Sequence, residues 1–400
     1  MTDIPSTVRF EPCGAEKWRD PFPMYKALRD QDPVQEIKKD EGDYWVLSRF
    51  EDVFNAVTDA PTFSSAQGLT MAYGEMEELG LEAPIVMMDP PEHTKLRKLA
   101  TKRFTPQRVA AIEPMVRKFV VERVERLREM GEGDVIHEFL KPLPSMIVGH
   151  FLGVQEKDRS RFDGWTDAIV AANAEGDVLS ASEAVAEMFG FFTEAIERVR
   201  KEPGEDLLST LVHAQLDGGE VPMMKILGFA FTMVTGGNDT TTGLLGGSAE
   251  LLTKNPDQRK LLIEDPSRIP DAVEEFLRLT SPVQGLARMT TRDVEIHGKT
   301  IPEGRKVMLL YASGNRDERE FGPDAAECDV TRKIRRHLAL GYGAHHCVGA
   351  ATARLVARVA LEELLSRCPD FAVDAEKGRF APGSFVRRYE SLPFVAKAGV

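Results

Sequence analysis

Between Ile226 and Ala249 the only charged residue is Asp239. A segment so long and so apolar has to be buried, in lipid or in the middle of a domain, because no face of it favours water. Its six Gly and five Thr, with little Leu or Ile, make a poor surface for lipid. The segment is therefore read as the core helix of an α-rich domain that surrounds it. Four hundred residues suffice for this, since a chain of that length buries about three quarters of the surface its unfolded form exposes. Placing Asp239 in such a helix costs on the order of several kcal/mol unless the carboxylate is paired or neutralised. That cost marks it as a candidate functional acid.

Charge and cysteine usage narrow the function. With 51 basic and 64 acidic side chains the formal charge is −13, which argues against a nucleic-acid binder, whose affinity comes from Lys and Arg on phosphates. Cys13, Cys328, Cys347 and Cys368 are too few and too scattered for a secreted disulfide framework, so a reducing, cytoplasmic compartment is expected. Met1 to Pro12 lack the basic start and apolar core of a signal peptide. No membrane association is expected.

Val34 to Ile37 and Tyr44 to Leu47 read as a β-hairpin, followed by a short helix from Glu51 to Thr58. Gly68 to Val86 reads as a long loop, a class that often binds or covers a ligand. From Pro91 to about Leu211, and again over Pro222 to Lys254 and Pro270 to Leu279, apolar residues recur at helical spacing. Val294 to Ile296, Gly298 to Thr300 and Lys306 to Leu310 read as short strands, and Val348 to Arg367 as a last helix before a β-like tail. No repeat or low-complexity linker divides the chain. Residues 1–400 are expected to form one domain, with a small β-rich region at about 20–65, a helical body at about 91–280, a β meander and Cys loop at about 281–350, and a C-terminal helix and β tail at 351–400.

The most informative stretch is Leu338-Ala339-Leu340-Gly341-Tyr342-Gly343-Ala344-His345-His346-Cys347-Val348-Gly349. Its glycines permit an irregular turn before the cysteine, and Gly349 leaves room for a group lying close above the helix that follows. A cysteine at a helix N-terminus sees the positive end of the dipole, which favours the thiolate, a metal ligand or a nucleophile. The residues alone leave three readings open. A zinc site wants further Cys or His at ligand spacing, a catalytic cysteine wants a His with an orienting Asn or Asp, and a buried free thiol leaves the glycines unexplained.

This stretch resembles the haem-binding loop of the cytochrome P-450 family, Phe-x-x-Gly-x-x-x-Cys-x-Gly. Glu275-Phe276-Leu277-Arg278 resembles the family's Glu-x-x-Arg, whose two side chains share one helix face. Gly236-Gly237-Asn238-Asp239-Thr240-Thr241 resembles its Ala-Gly-x-(Asp/Glu)-Thr-(Thr/Ser). The similarity runs from about Pro21 to Phe394, includes Asn315-Arg316-Asp317, and points to a mycobacterial orphan group among the soluble bacterial members.

The resemblance implies a mainly α fold, a large helical domain with a small β-rich lobe enclosing haem b. It implies Cys347 as the axial ligand of the haem iron, Gly349 beside the ring, and Glu275 with Arg278 as a structural pair. His93 and Arg97 on one helix face, Arg288 just before the strand region, and His345 are the implied partners of the haem propionates. Asp239 and Thr240 are the implied catalytic proton carriers, with Gly237 letting the backbone part. The implied activity is that of a haem-thiolate monooxygenase inserting one oxygen atom of dioxygen into an apolar or aromatic small molecule, by hydroxylation or O-dealkylation. Electrons are expected from NAD(P)H through a ferredoxin reductase and a ferredoxin. A peroxide-dependent haem enzyme or a non-catalytic haem-binding protein is the alternative, against which Asp239 and Thr240 argue.

By the same resemblance the substrate pocket comprises Tyr73, Met88, Thr232, Met233, Gly236, Val283, Leu286 and Phe385. Arg332, Lys333, Arg335, Arg336 and His337, with Lys95, Lys98, Lys102 and Arg103, form a basic face on the proximal side for an acidic ferredoxin. Departures from the family pattern are Leu340 for Phe, Gly236 for Ala, and Glu327 where an Arg often completes the Glu275–Arg278 network. Arg332 is the expected substitute for that third partner.

Overall fold

The computed structural model describes residues 8–39, 42–74, 82–175 and 181–397. The apolar segment forms one unbroken helix, Met223–Lys254, at the centre of the helical body. Its apolar residues run round every side, so neighbours pack on all of them: Pro142–Phe151, Arg161–Glu175, Ser182–Lys201 and Ile269–Thr280. Gly243 admits the C-terminal tail, since a Cβ there would stand 2.7 Å from the Arg387 carbonyl oxygen. Among the described residues no helix is long and apolar enough to cross a membrane.

A mixed sheet carries the strands in the order Val34–Ile37, Tyr44–Leu47, Lys306–Leu309, Leu286–Thr290, Phe63–Ser64. The first two form the expected antiparallel hairpin, with Val34 opposite Leu47, and Tyr44–Leu47 runs parallel to Lys306–Leu309. Trp45 and Leu47 enter a cluster with Phe50 and Val53, while Tyr44 and Val46 enter another with Tyr25 and Leu28. Both faces are covered, which is why Tyr44–Leu47 is continuously apolar rather than alternating. Arg288 lies inside the strand Leu286–Thr290, opposite Val307, and not ahead of it.

The last helix, Ala350–Arg367, begins two residues later than the periodicity suggests, because Gly349 takes the N-cap position. Cys347 therefore precedes the helix rather than opening it. Of the expected loop from Gly68 to Val86, residues 75–81 lie outside the described residues. Its first part lies against the sheet, where the Ala287 amide donates to the Leu69 carbonyl at 2.8 Å.

Candidate active site

The loop from Leu338 to Gly349 is held from several sides. The Cys347 amide donates to the Leu340 carbonyl at 2.8 Å, and the Leu338 amide donates to Asn315 Oδ1 at 2.6 Å. From the helix Glu92–Thr101, Arg97 donates to the carbonyls of Ala344, at 3.1 Å, and His346. Cys13, Cys328 and Cys368 are buried, whereas Cys347 is exposed. Even so, burial raises its thiol pKa, opposed by a Gly349 backbone hydrogen bond and the Arg97 charge.

Around this sulfur stand the other residues expected to meet an anionic group. The His93 and His345 rings lie 4.3 Å apart by centroid. Burial holds both neutral, His93 at about 4 and His345 at about 3, with Arg97 and Arg288 respectively adding to the effect. Yet His93 Nδ1 and His345 Nε2 are buried without any hydrogen-bond partner among the described residues. Arg288 is also buried, and its NH1 donates to the carbonyl of the preceding Ala287. Buried polar groups without partners carry a real cost, so this set is unfinished without a ligand. Carboxylates would satisfy it by drawing a proton onto each imidazole, so that the free nitrogen donates, and the two propionates of haem are such groups. At Gly349 a Cβ would meet only the Cys347 sulfur, at 3.9 Å, so no other protein group crowds that position. The donors and the open approach to the sulfur fit haem.

Asp239 and Thr240 form a second group on the long helix. Asp239 is buried, and its Oδ1 lies 2.8 Å from Arg388 Nε, a tail residue that the sequence did not single out. Arg388 also reaches Asp167 Oδ1 at 3.2 Å, and Asp167 pairs with Lys141 near the surface. Burial pushes the Asp239 pKa up while Arg388 pulls it back, and Oδ2 has no hydrogen-bond partner among the described residues. Thr240 Oγ1 donates to the Gly236 carbonyl at 2.7 Å, and Gly236 is exposed, with nothing within 4 Å of where its Cβ would be. Gly237 plays another part than the one expected. The helix does not open there; a Cβ would stand 2.6 Å from Val148 Cγ2, so glycine is required for the helix Pro142–Phe151 to approach.

The two groups are linked through the turn Ile85–Met87, which packs on the long helix, and Met88, whose backbone hydrogen-bonds His345. Val283 bridges Val386, and the Gln284 amide donates to the Phe385 carbonyl at 2.8 Å, so the tail and the start of the Leu286 strand come together beside the helix. Thr232 and Leu286 are half-buried, while Met88 and Met233 are core residues. Tyr73 is engaged elsewhere, its hydroxyl donating to the Asp43 carbonyl at 2.6 Å and accepting from the Lys306 amide at 3.1 Å.

Glu275 and Arg278 are buried and bidentate, with Arg278 Nε and NH2 each 2.7 Å from a Glu275 oxygen. Arg278 NH1 also donates to the carbonyls of Asn315 and Ala325, at 2.8 and 2.5 Å. Arg332 Nε stands 3.4 Å from Glu275 Oε1, in the place expected of the substitute, and Glu327 contributes only its carbonyl.

A cytochrome P450 family profile matches residues 176–379. The chain is 58% identical to "Cytochrome P450 130" of Mycobacterium tuberculosis, over 98% of this chain and 99% of that one. It is 36% identical to the vitamin D(3) 25-hydroxylase of Pseudonocardia autotrophica, over 94% of each. The chain belongs to the cytochrome P450 family. Among solved structures, Mycobacterium marinum cytochrome P450 CYP268A2, in complex with pseudoionone, superposes with a TM-score of 0.88 at 30% identity, covering 94% of this chain and 96% of that one. The P450 fold, the haem b cofactor and a monooxygenase activity follow from membership.

Proposed function

We propose that Cys347 is the axial ligand of the haem iron and that this P450 is a cytoplasmic, ferredoxin-dependent monooxygenase of an apolar or aromatic small molecule, acting by hydroxylation or O-dealkylation. The observation that carries the reading is an exposed thiol in a loop that Arg97 ties down, with His345 two residues before it lying 4.3 Å from His93 and, among the described residues, one buried nitrogen of each ring without a partner. Haem bound through a thiolate supplies activation of dioxygen and transfer of one of its oxygen atoms to the substrate. His93, His345, Arg97 and Arg288 hold the propionates, and Gly349 leaves the ring room beside the sulfur.

On the distal side Asp239 would take up and release a proton at Oδ2, the oxygen that Arg388 leaves free. Thr240, whose hydroxyl donates to the Gly236 carbonyl, would be the residue that turns it to hand protons inward once dioxygen and haem are bound. Gly236 leaves space on the same helix face, while Thr232, Met233, Val283, Leu286 and Phe385 supply an apolar wall. Electrons enter on the proximal side from an acidic ferredoxin, reduced by NAD(P)H through its reductase.

The test is the reduced carbon-monoxide spectrum. The wild type is expected to show its Soret band at the thiolate position, and Cys347→Ser to lose that band; a neutral-imidazole spectrum in the wild type overturns the assignment.

A further inference from the structure

Beside the Cys loop, Glu274 sits between two partners from different elements. Arg354, in the helix Ala350–Arg367, donates from Nε and NH2 to Glu274 Oε1 and Oε2 at 2.6 and 2.9 Å. His337 Nε2 lies 3.1 Å from Glu274 Oε2, and His337 Nδ1 accepts from the Ala339 amide at 3.2 Å. The accepting Nδ1 fixes the tautomer: the ring proton is on Nε2 and points at the carboxylate. Ala339 belongs to the turn Leu338–Leu340, whose last carbonyl receives the Cys347 amide. Glu274, His337 and Arg354 also line a cavity of about 60 Å³ together with Leu340 and His346.

We propose that Glu274 is a positioning residue for the sulfur ligand, fixing the turn that holds the Cys347 amide through His337 and neutralising a cation beside the sulfur through Arg354. The proposal rests on Cys347 being the ligand. Arg354 lines the same cavity as Leu340, whose carbonyl takes the Cys347 amide, and His346, which precedes Cys347, and Glu274 is the acid that compensates its charge. Reduction adds negative charge at the iron site, so an uncompensated Arg354 favours the reduced form. A simple tie between two helices would have no such electronic consequence.

The experiment is the ferric/ferrous midpoint potential of the holoenzyme, with the reduced carbon-monoxide band recorded on the same samples. Glu274→Gln is expected to shift the potential to more positive values and Arg354→Gln to more negative ones, and the double variant returns close to wild type. Asp271→Asn removes an acid from the exposed pair with Lys333 on the same helix, and is expected to leave the potential in place. If Glu274→Gln does not load haem, Arg354→Gln carries the test, since it keeps the Glu274–His337 bond. An unchanged potential in either single variant, a double variant that does not return, or an equal shift from Asp271→Asn overturns the proposal. A neutral-imidazole band in the wild type overturns the ligand assignment instead, whatever the potentials do.

Discussion

Arg388 Nε stands 2.8 Å from Asp239 Oδ1, joining the C-terminal tail to the one acid in the apolar stretch of the long helix. The pair explains how a carboxylate survives there, since both side chains are nearly inaccessible and either alone would be costly to bury. Asp167 and Lys141 extend the chain of charges from Arg388 to the surface. The proposed proton carrier is thus an acid whose ionisation is influenced by a residue 149 positions away in sequence, 388 against 239.

Replacing Arg388 tests this dependence. Burial already raises the Asp239 pKa and the Arg388 charge opposes it, so Arg388→Gln lets it rise further. Coupled product formation is expected to fall by about 10²-fold, the scale of a lost general acid–base contribution. The limb of the pH–rate profile that reports Asp239 ionisation moves to higher pH, and Asp239→Asn abolishes it. A limb unmoved in Arg388→Gln would separate the tail from the relay.

Adjacent glycines on the same helix should respond with opposite sign. Gly236→Ala meets nothing within 4 Å and gains about 0.5–1 kcal/mol from reduced backbone freedom, while narrowing the space beside Thr240. Gly237→Ala places its methyl 2.6 Å from Val148 Cγ2 and is expected to cost about 1–3 kcal/mol. Adding Val148→Ala removes the obstructing carbon, so thermal unfolding should show the double variant recovering more than an additive sum predicts.

These examples mark where the sequence is legible. The core helix and the hairpin could be read because each is specified by its own residues: an uninterrupted apolar run in one, two apolar runs around a polar turn in the other. Asp239 was visible as a buried acid, but Arg388 was not, because an arginine in a tail carries no local sign of which helix it will meet. The family pattern makes Gly237 a place where the backbone parts; its reason here is Val148, which only the packing of two helices supplies. His93 and His345 drew notice through the family pattern, and their unpartnered nitrogens appear only once the fold brings the rings together.

The buried Glu275–Arg278 pair should behave unlike the surface ion pairs. Glu275→Gln leaves Arg278 charged and uncompensated in the interior, a loss of about 3–5 kcal/mol. Arg332→Ala removes a partner at 3.4 Å that is also held by Asp324, and is expected to cost on the order of 1 kcal/mol. Urea unfolding of the holoenzyme, followed by haem absorbance, gives both values.

Glu274 predicts a particular acid sensitivity. Burial raises its pKa, but hydrogen bonds from His337 and Arg354 outweigh this and hold it at about 2. A carboxyl depressed in the folded state contributes stability above its unfolded value, here 4.5, and loses it as pH falls toward 2. Glu274→Gln has no such contribution to lose. Between pH 5 and pH 3 its urea midpoint should therefore fall less than that of the wild type, although it starts lower.

The proximal face yields the last prediction, because most of its basic residues are already spoken for. Lys95 pairs with Asp217, Lys333 with Asp271, Arg336 with Glu320, Arg332 with Asp324, and His337 with Glu274. Arg103 donates to Thr210. Among the described residues Lys98, Lys102 and Arg335 are exposed and have no acid within reach, so they hold the charge available to a partner. Changing these three to Gln should slow ferredoxin-supported reduction by about tenfold at low salt and flatten its dependence on ionic strength. Lys333→Gln, which removes one charge already paired with Asp271, should change both far less than a single Gln at Lys98, Lys102 or Arg335 does. An equal effect from Lys333 would mean that the partner reads total charge and not the unpaired residues.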